Sequence, residues 1–321
     1  MAVMRLQGWR EDACGWPPVR PAPIRQIDLR DGEFPAHLRE IPAPPDRLWV
    51  RGSLVDEDAL AIAIVGSRRA TPFGLELAER LAGDLAARGI TVVSGLARGI
   101  DSAAHRGALE AGGRTVAVLG CGVDIVYPPE NRRLAARIVD QGALLSQFAP
   151  GAPALAHHFP VRNRIIAGLA LGVVVVEAAE QSGTLITAGH AGDLGREVMA
   201  VPGRAGAPTS RGTHQLIRDG AALVEGWEDV VALLPARWRA CVSATPVAPV
   251  GTERSPAPAR GQKNEEDSLL DLVGTEPVTM EELIERSGLA ASRAAARLLA
   301  LELEGQVRQL PGKRFVRAPR R

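Results

Sequence analysis

Six short apolar runs constrain the fold of this chain more than any other feature of its sequence. Segments with the period of amphipathic helices lie between most of them, for example residues 73–88 and 131–141. Buried strands that alternate with helices are typical of a parallel sheet covered on both faces. Because crossovers between parallel strands are right-handed, the pattern predicts an α/β fold with a doubly wound, Rossmann-like and mostly parallel sheet. The runs are AIAIV (61–65), ITVVS (90–94), TVAVL (115–119), ALLSQ (143–147), VVVVE (173–177) and EVMAV (197–201).

The remaining segments divide the 321-residue chain into four parts. Residues 1–55 are rich in proline and are predicted to be irregular, and the sheet domain is expected at residues 56–235. Residues 236–264 are rich in Pro, Ala, Ser and Thr, which indicates a flexible linker. Residues 265–318 combine three helical segments with a hairpin pattern, so a small C-terminal winged-helix domain is expected there.

The helical segments of this C-terminal part are predicted at residues 267–273, 280–287 and 292–304. Thr279, followed three residues later by Glu282, has the spacing of a capping box before the second segment. The runs VRQL and GKRFVR would then form the hairpin.

Composition limits the kinds of site that the chain can contain. Cys14, Cys121 and Cys241 are far apart and form no CxxC or Cys/His pattern, so neither a disulfide framework nor a metal site is expected. The N-terminus has no apolar signal region and no segment approaches about 18 apolar residues, which predicts a cytoplasmic protein without membrane spans. The net charge is +1 and aromatic residues make up 3%, so a nucleic-acid site would have to be a local basic patch with few stacking platforms.

Glycine-containing and polar turns follow four of the predicted strands. In an open parallel sheet, ligands bind at the carboxyl ends of the strands, near helix N-termini. Glycines such as Gly95 and Gly99 let backbone amides approach an anion closely. One such turn alone is most often an ordinary turn, but several on one edge of one sheet indicate an anion site. The turns are VGSRRATPFG (65–74), SGLARGID (94–101), GCGVDIVYPPEN (120–131) and EAAEQSGTLIT (177–187).

Two arginines lie beside an apolar helical pattern in the segment HFPVRNRIIAG. Asn163 could be an ordinary N-cap of that helix. However, Arg162 and Arg164 at a helix N-terminus would oppose the helix dipole. This placement favours a bound anion nearby.

Other polar residues give little support for catalysis or metal binding. The chain contains no GxxxxGK[ST] motif and no GxGxxG after the first strand, so the usual nucleotide-binding loops are missing. His157 and His158 have no cysteine or acidic cluster around them and are interpreted as loop residues. Asp101, Asp124 and Glu177 are isolated acids, so we expect each to be a cap or a hydrogen-bond acceptor in a loop.

The motifs, in this order and at this spacing, resemble the DNA processing protein A family (DprA, also called Smf). The resemblance covers residues 34–234 and 267–317. It implies an extended Rossmann fold that binds single-stranded DNA in a positively charged pocket, without a cofactor and without catalysing a reaction. It also implies a homodimer that loads the RecA recombinase onto incoming strands during natural transformation.

Residue roles follow from the resemblance by position. The expected DNA-binding residues are Gly66, Ser67, Arg68, Arg69, Ser94, Gly95, Arg98, Gly99, Arg162, Asn163, Arg164, Ser182, Gly183 and Thr184. The resemblance places the dimer interface near the end of the sheet domain, although simple packing onto the sheet edge is an alternative. The expected interface residues are Leu216, Ile217, Leu223, Val230 and Leu233.

A nucleotide-processing enzyme is the alternative function. The phosphoribohydrolases that such sheets resemble carry a PGGxGTxxE signature, which supplies a catalytic glutamate. The comparable stretch here, residues 180–185, lacks the double glycine and a following acid at that spacing.

Overall fold

The computed structural model of the chain describes residues 22–243 and part of the C-terminal region. The described C-terminal residues are 272–274, 278–287, 294, 298, 301–302, 306–310 and 314–317. The chain forms two compact units, Met1–Val250 and Gly251–Arg321.

A nine-stranded sheet is the centre of the first unit. Its strand order is β1-β2-β6-β5-β4-β3-β7-β8-β9. Strands β3 to β9 are parallel to one another, whereas β2 pairs antiparallel with both of its neighbours, β1 and β6. All six predicted strands are present. The strands are β1 (Ile24–Asp28), β2 (Arg47–Gly52), β3 (Ala61–Val65), β4 (Thr91–Ser94), β5 (Thr115–Val118), β6 (Ala143–Ser146), β7 (Gly172–Val175), β8 (Glu197–Ala200) and β9 (Ala222–Leu223).

Helices cover both faces of this sheet, as the continuous apolar strands predict. In β3, Ala61, Ala63 and Val65 pack towards α5 and α6, while Ile62 and Ile64 pack towards α2 and α3. The helices are α1 (Ala36–Arg39), α2 (Pro72–Ala86), α3 (Ile100–Glu110), α4 (Arg132–Gln141), α5 (His158–Leu169), α6 (Gly183–Asp193), α7 (Arg211–Arg218), α8 (Trp227–Leu233) and α9 (Ala236–Arg239).

Strand β3 is the point where the winding of the sheet reverses. The chain moves from β3 through β4 and β5 to β6, then returns to β7 on the other side of β3. In doubly wound sheets the crevice at this reversal, outside the carboxyl ends of the strands, is where ligands bind.

The prediction of an irregular segment at residues 1–55 is wrong for its described part after residue 23. Strands β1 and β2 form a hairpin that joins the sheet through β6, and Phe34 and Leu38 are fully buried. The proline content suggested an irregular segment, but Pro42, Pro44 and Pro45 lie between α1 and β2 and leave the two short strands free to pair.

The predicted linker at residues 236–264 also begins too early. Residues 236–239 form α9, and the ring centroid of Trp238 lies 5.5 Å from that of His37 in α1. Trp238 and Val242 pack against the core beneath α2. Packing of the Trp238 ring stabilises this short helix, although the composition around it is typical of a linker.

The second unit contains a three-stranded sheet of order β10-β12-β11, formed by β10 (Val278–Thr279), β11 (Val307–Leu310) and β12 (Arg314–Arg317). Helix α10 (Met280–Ser287) follows β10. The predicted capping box is present, because Thr279 N donates to the Glu282 carboxylate at 2.9 Å and Glu282 N donates to Thr279 Oγ1 at 3.3 Å. The hairpin β11–β12 is also present. The helices predicted at 267–273 and 292–304 lie mostly outside the described residues.

No helix in the described parts of the chain is long and apolar enough to cross a membrane.

His105 is a fully buried histidine between α3 and β5. Its Nδ1 lies 2.7 Å from Thr115 Oγ1, whose hydroxyl donates to Val92 O at 2.7 Å, so Nδ1 carries the proton and donates to Thr115. Nε2 is buried and has no hydrogen-bond partner among the described residues. Burial lowers the pKa of His105 to about 3.

This histidine predicts a loss of stability in acid. The unfolded chain takes up a proton near the ordinary histidine pKa of about 6.5, whereas the folded chain does not until about pH 3. Between these values His105 should lower the free energy of unfolding by up to about 1.4 kcal/mol per pH unit. Denaturant unfolding of wild type and His105→Gln at several pH values measures this, and the variant should show the shallower dependence. His190→Gln, on the surface of α6, should keep the wild-type slope; equal slopes for all three proteins would contradict the prediction.

Candidate nucleic-acid interface

A cavity of about 750 Å³ opens at the carboxyl ends of β3 and β7, where the winding of the sheet reverses. Its walls are the turn after β3, the first half of α5 and the start of α6. The structure therefore brings together expected site residues from three separate motifs. Those that line the cavity are Gly66, Ser67, Arg68, Arg69, Arg162, Asn163, Ser182, Gly183 and Thr184.

The turn after β3 carries the exposed cations of the cavity. Arg68 and Arg69 are both exposed. Ser67 N donates to Glu177 O at 2.7 Å, and Arg69 N donates to Ser67 Oγ at 3.1 Å. These bonds tie the turn to the end of β7, so the two arginines are presented from a fixed backbone.

Glu177 holds the start of α2 in place. Its carboxylate accepts hydrogen bonds from Thr71 N, at 2.9 Å, and from the Thr71 hydroxyl. Thr71 in turn caps α2 by accepting from Gly74 N at 3.1 Å. Asp101 and Asp124 are also hydrogen-bond acceptors, since Asp101 accepts from Gly95 N and Asp124 accepts from Gly151 N. Asp101, Asp124 and Glu177 therefore all have the acceptor role predicted for them.

The turn after β4 lies behind the turn after β3. Gly99 has a φ of 75°, and a Cβ there would overlap Ser67 O. Ile100 N donates to the same oxygen at 3.2 Å. The Ser94 hydroxyl is buried and donates to Ile64 O at 2.6 Å. The glycine in this turn thus allows two backbones to touch, and the turn supports the cavity wall from behind.

The four expected DNA contacts at the end of β4 and in the turn after it do not line the cavity. Ser94, Gly95 and Gly99 pack behind the wall, and none of them lines the cavity. Arg98 points to the surface and forms an ion pair with Glu130.

Helix α5 begins at His158, earlier than the sequence pattern indicated. Pro160 is compatible with the first helical turn, where the missing N–H would be unpaired in any case. Asn163 is consequently not an N-cap, and Arg162 lies in the second turn, so the argument from the helix dipole does not apply to it.

Arg162 is buried beneath the cavity, with 3% of its surface exposed. Nη1 donates to Val118 O at 3.2 Å, and Nε has no hydrogen-bond partner among the described residues. A Cβ at Gly95 would overlap Nη1, so only glycine leaves space for this guanidinium. Burial lowers the pKa of Arg162, and the nearby Asp101 carboxylate opposes this shift.

Arg164 points away from the cavity. Its Nη1 donates to Ala43 O at 2.9 Å, in the loop before β2. Two residues along a helix correspond to roughly 200° of rotation, so Arg162 and Arg164 lie on opposite sides of α5.

Three apolar or aromatic residues that the sequence analysis did not identify also line the cavity: Phe159, Tyr127 and Ile186. The guanidinium carbons of Arg68 and Arg162 lie 5.4 and 5.8 Å from the centroid of the Phe159 ring. Tyr127 lies next to it, with ring centroids 5.8 Å apart. These side chains were not predicted to line the site because the aromatic content of the chain is low, although each belongs to one of the motifs described above.

The start of α6 forms the remaining wall. Ser182 caps the helix, its Oγ accepting from Thr184 N at 3.2 Å. Apart from its chain neighbours and the backbone of its own helix, no atom of the described residues lies within 4 Å of the position that a Cβ of Gly183 would occupy, so the backbone is open there. The positive end of the helix dipole therefore faces the cavity beside Arg68 and Arg69.

The five residues expected at a dimer interface differ in exposure. Leu223, on the terminal strand β9, is 49% exposed. Val230 is fully buried in the core and cannot contribute surface to an interface. Leu216 and Leu233 are partly buried and pack against core clusters, which is the alternative that the sequence left open, and Ile217 is half-buried.

Comparison with known families decides the classification. The family described as DNA recombination-mediator protein A matches residues 25–235. The chain belongs to this family. The DprA winged helix domain matches residues 253–313. The resemblance and the fold class inferred from the sequence are both confirmed.

Individual relatives agree with this classification. Protein Smf of Escherichia coli (strain K12) is 40% identical over 300 residues, which cover 90% of this chain and 77% of that protein. DNA processing protein DprA of Streptococcus pneumoniae is 44% identical over 206 residues, covering 64% of this chain and 73% of that protein.

Two solved structures resemble this chain over about two thirds of its length. DprA from Streptococcus pneumoniae superposes with a TM-score of 0.63 at 42% identity, over 66% of this chain and 75% of that one. DprA from Helicobacter pylori, described for its single-stranded-DNA binding mode, superposes with a TM-score of 0.58 at 26% identity, over 66% of this chain and 96% of that one.

Proposed function

We propose that this protein binds single-stranded DNA in the cavity at the β3–β7 crevice and loads the RecA recombinase onto the bound strand in the cytoplasm, during natural transformation. The observation that carries the proposal is the combination of exposed arginines, the open start of α6 and aromatic side chains in one crevice. Membership of a recombination-mediator family supports the same role. So does the single-stranded-DNA binding described for the Helicobacter pylori relative.

The chemistry of the cavity favours phosphate as the group that is bound. Arg68 and Arg69 supply charge with planar donors that suit phosphate oxygens. Ser67, Ser182 and Thr184 add hydroxyl groups, and the start of α6 adds the positive end of a helix dipole. Such contacts position a nucleic-acid backbone and carry no base sequence.

The size and apolar lining of the cavity favour a single strand over a duplex. A crevice of about 750 Å³ has space for a few nucleotides and not for a double helix. Phe159, Tyr127 and Ile186 offer apolar surface to base or sugar faces, and base faces are accessible only when a strand is unpaired.

The cavity has little that would serve an enzyme. Among the described residues that line it, Asp101 is the one carboxylate, and it is buried and already accepts hydrogen bonds from backbone amides. In the phosphoribohydrolase signature the catalytic glutamate follows the Gly-Thr pair by three residues, and that position is Thr187 here. These features support binding without catalysis.

Strand preference and salt dependence test the proposal. A labelled single strand should bind more tightly than the same sequence as a duplex, with little dependence on base sequence. The logarithm of its affinity should fall linearly with the logarithm of salt concentration, because neutralised phosphates release counterions. Fluorescence anisotropy at several salt concentrations measures both effects. Equal affinity for the duplex, or an affinity independent of salt, would overturn the proposal.

The loading step has its own readout in the same samples. The protein should accelerate the growth of RecA filaments on a strand coated with single-strand-binding protein. Tight strand binding without any acceleration would restrict the function to binding.

A matched pair of arginine variants distinguishes the cavity from the rest of the surface. Arg68→Ala should weaken single-strand binding by about 1.5–3 kcal/mol, because it removes a charge-assisted contact with phosphate. Arg164→Ala removes the same charge, but its side chain points away from the cavity towards Ala43 O. It should bind nearly as tightly as the wild type. Titrations of both variants, with thermal unfolding to verify the fold, make the comparison; the opposite order of effects would place the strand on the other side of α5.

A homodimer formed through the β9 end of the sheet is a further part of the proposal. Leu223 is exposed on the terminal strand β9, and edge strands with apolar side chains readily pair with another chain. Light scattering at micromolar concentration should show a dimer for the wild type and a monomer for Leu223→Asp. Ile24→Asp changes an equally apolar residue, 37% exposed, on the terminal strand at the opposite end. The Ile24→Asp variant should remain dimeric. A wild type that is monomeric at this concentration would contradict the proposed dimer.

A further inference from the structure

A carboxylate stands in the wall of a cavity that otherwise presents cations and neutral groups. Asp101, in the first turn of α3, is the one acidic residue among the described residues that line the cavity, and it is 6% exposed. Its Oδ2 accepts from Gly95 N at 3.1 Å and from Ala97 N at 3.4 Å. The carboxylate is thereby fixed in position at the base of an anion site.

Asp101 approaches Arg162 without neutralising it through a direct contact. Both side chains converge on Gly95, since a Cβ there would meet Nη1 of Arg162 and lie 2.7 Å from Oδ2 of Asp101. Among the ion pairs found in the described part of the chain, none joins these two residues. The guanidinium Nε has no partner there either. The two charges are therefore close neighbours that are not paired directly.

A fixed carboxylate at this position repels any phosphate that enters. Charges interact more strongly in a partly desolvated crevice than in water, so the repulsion acts on the same phosphate that the arginines attract. A protein that passes a strand to a recombinase must also release it.

We propose that Asp101 is a positioning residue that holds the turn after β4 and, through its negative charge beside Arg162 and Arg68, limits the affinity of the cavity for single-stranded DNA. This inference rests on the proposed function. It assigns to Asp101 the opposite effect on affinity from that of the arginines around it.

Titration of Asp101 supports the proposal. Burial raises the pKa of Asp101, with Arg162, the amides of Ala97 and Gly95, and Arg68 opposing the shift in that order. As the pH falls towards this raised pKa, the carboxylate takes up a proton and its repulsion of phosphate disappears. Single-strand affinity should therefore rise with acidification.

Neighbouring groups do not produce the same effect. Arginine side chains keep their charge throughout this range. Burial keeps the pKa of His105 at about 3 and raises that of Cys121 to about 11.

His157 and His158, at the start of α5, are ionisable residues near the cavity rim. Both are present in wild type and variant, so the effect of Asp101 is measured as the difference between the two proteins.

The test compares full-length Asp101→Asn with Glu110→Gln, using a fluorescent single-stranded oligonucleotide at constant ionic strength. Asn keeps the shape of Asp101 and an acceptor for the two amides. Glu110 is exposed at the other end of α3, about 13 Å along the helix axis. Near neutral pH, Asp101→Asn should bind about three- to tenfold more tightly than the wild type. Glu110→Gln should stay within about twofold, because salt screens a surface charge at that distance.

The pH profile separates an electrostatic role from a structural one. The advantage of Asp101→Asn should shrink as the pH is lowered, because the wild-type carboxylate becomes neutral. If Asp101→Asn unfolds at a much lower temperature than the wild type, Asp101→Ser, which also keeps a hydrogen-bond acceptor, replaces it. Weaker or unchanged binding by the folded variant would overturn the inference and leave Asp101 as a support for the turn alone. If the wild type itself fails to bind the strand, it is the proposed function that fails.

Discussion

Burial of the Arg162 guanidinium is the constraint on which the rest of the interface depends. A cation removed from water must be met by hydrogen bonds or opposite charge, or the folded state is strongly destabilised. Here the ends of three elements surround the guanidinium: the carbonyl of Val118 at the end of β5 accepts a hydrogen bond from it, the Asp101 carboxylate of α3 lies nearby, and the centroid of the Phe159 ring of α5 lies 5.8 Å away. Gly95 makes the arrangement possible, because any side chain at that position would occupy the space of the guanidinium. The turn after β4 and the end of β5 therefore pack around one buried charge.

This arrangement divides the glycine-containing turns into two layers. The turn after β4 is fixed by Arg162 and Asp101, and through Gly99 and Ile100 it contacts Ser67 O in the turn after β3. The outer turn can then present Arg68 and Arg69 to solvent without giving up its backbone geometry. The two turns thus have similar composition but different roles. The turn after β3 faces the cavity, and the turn after β4 supports the turn after β3. Preorganised donors of this kind bind an anion without having to reorganise when it arrives.

Much of this organisation was predictable from sequence, and the reason is that it is local. Strands β3 to β8, the capping of α10 by Thr279, and the acceptor roles of Asp101, Asp124 and Glu177 depend on short patterns of residues. The strands β1 and β2 were not predictable, since they depend on pairing with the distant strand β6. The directions of Arg162 and Arg164 were not predictable either, because they depend on where α5 begins and on its rotation against the sheet. The sequence motifs placed the candidate site at the sheet edge where the cavity lies, but only the folded structure separates the residues that face the cavity from those that support it.

The crevice at the reversal of a doubly wound sheet is a general place for anions, and the fold alone does not decide what happens to them. An enzyme built on such a crevice needs an acid or base that is free to reach the bound group. In this chain the one carboxylate among the described cavity-lining residues is committed to the amides of Gly95 and Ala97 and lies beside Arg162. Thr187 occupies the position where the related hydrolase signature has its glutamate. The other groups that line the cavity are arginines, hydroxyls, a helix start and aromatic rings, which can hold and orient an anionic ligand. Under the proposed function, Asp101 and Thr187 are the two residues through which this crevice favours binding over hydrolysis.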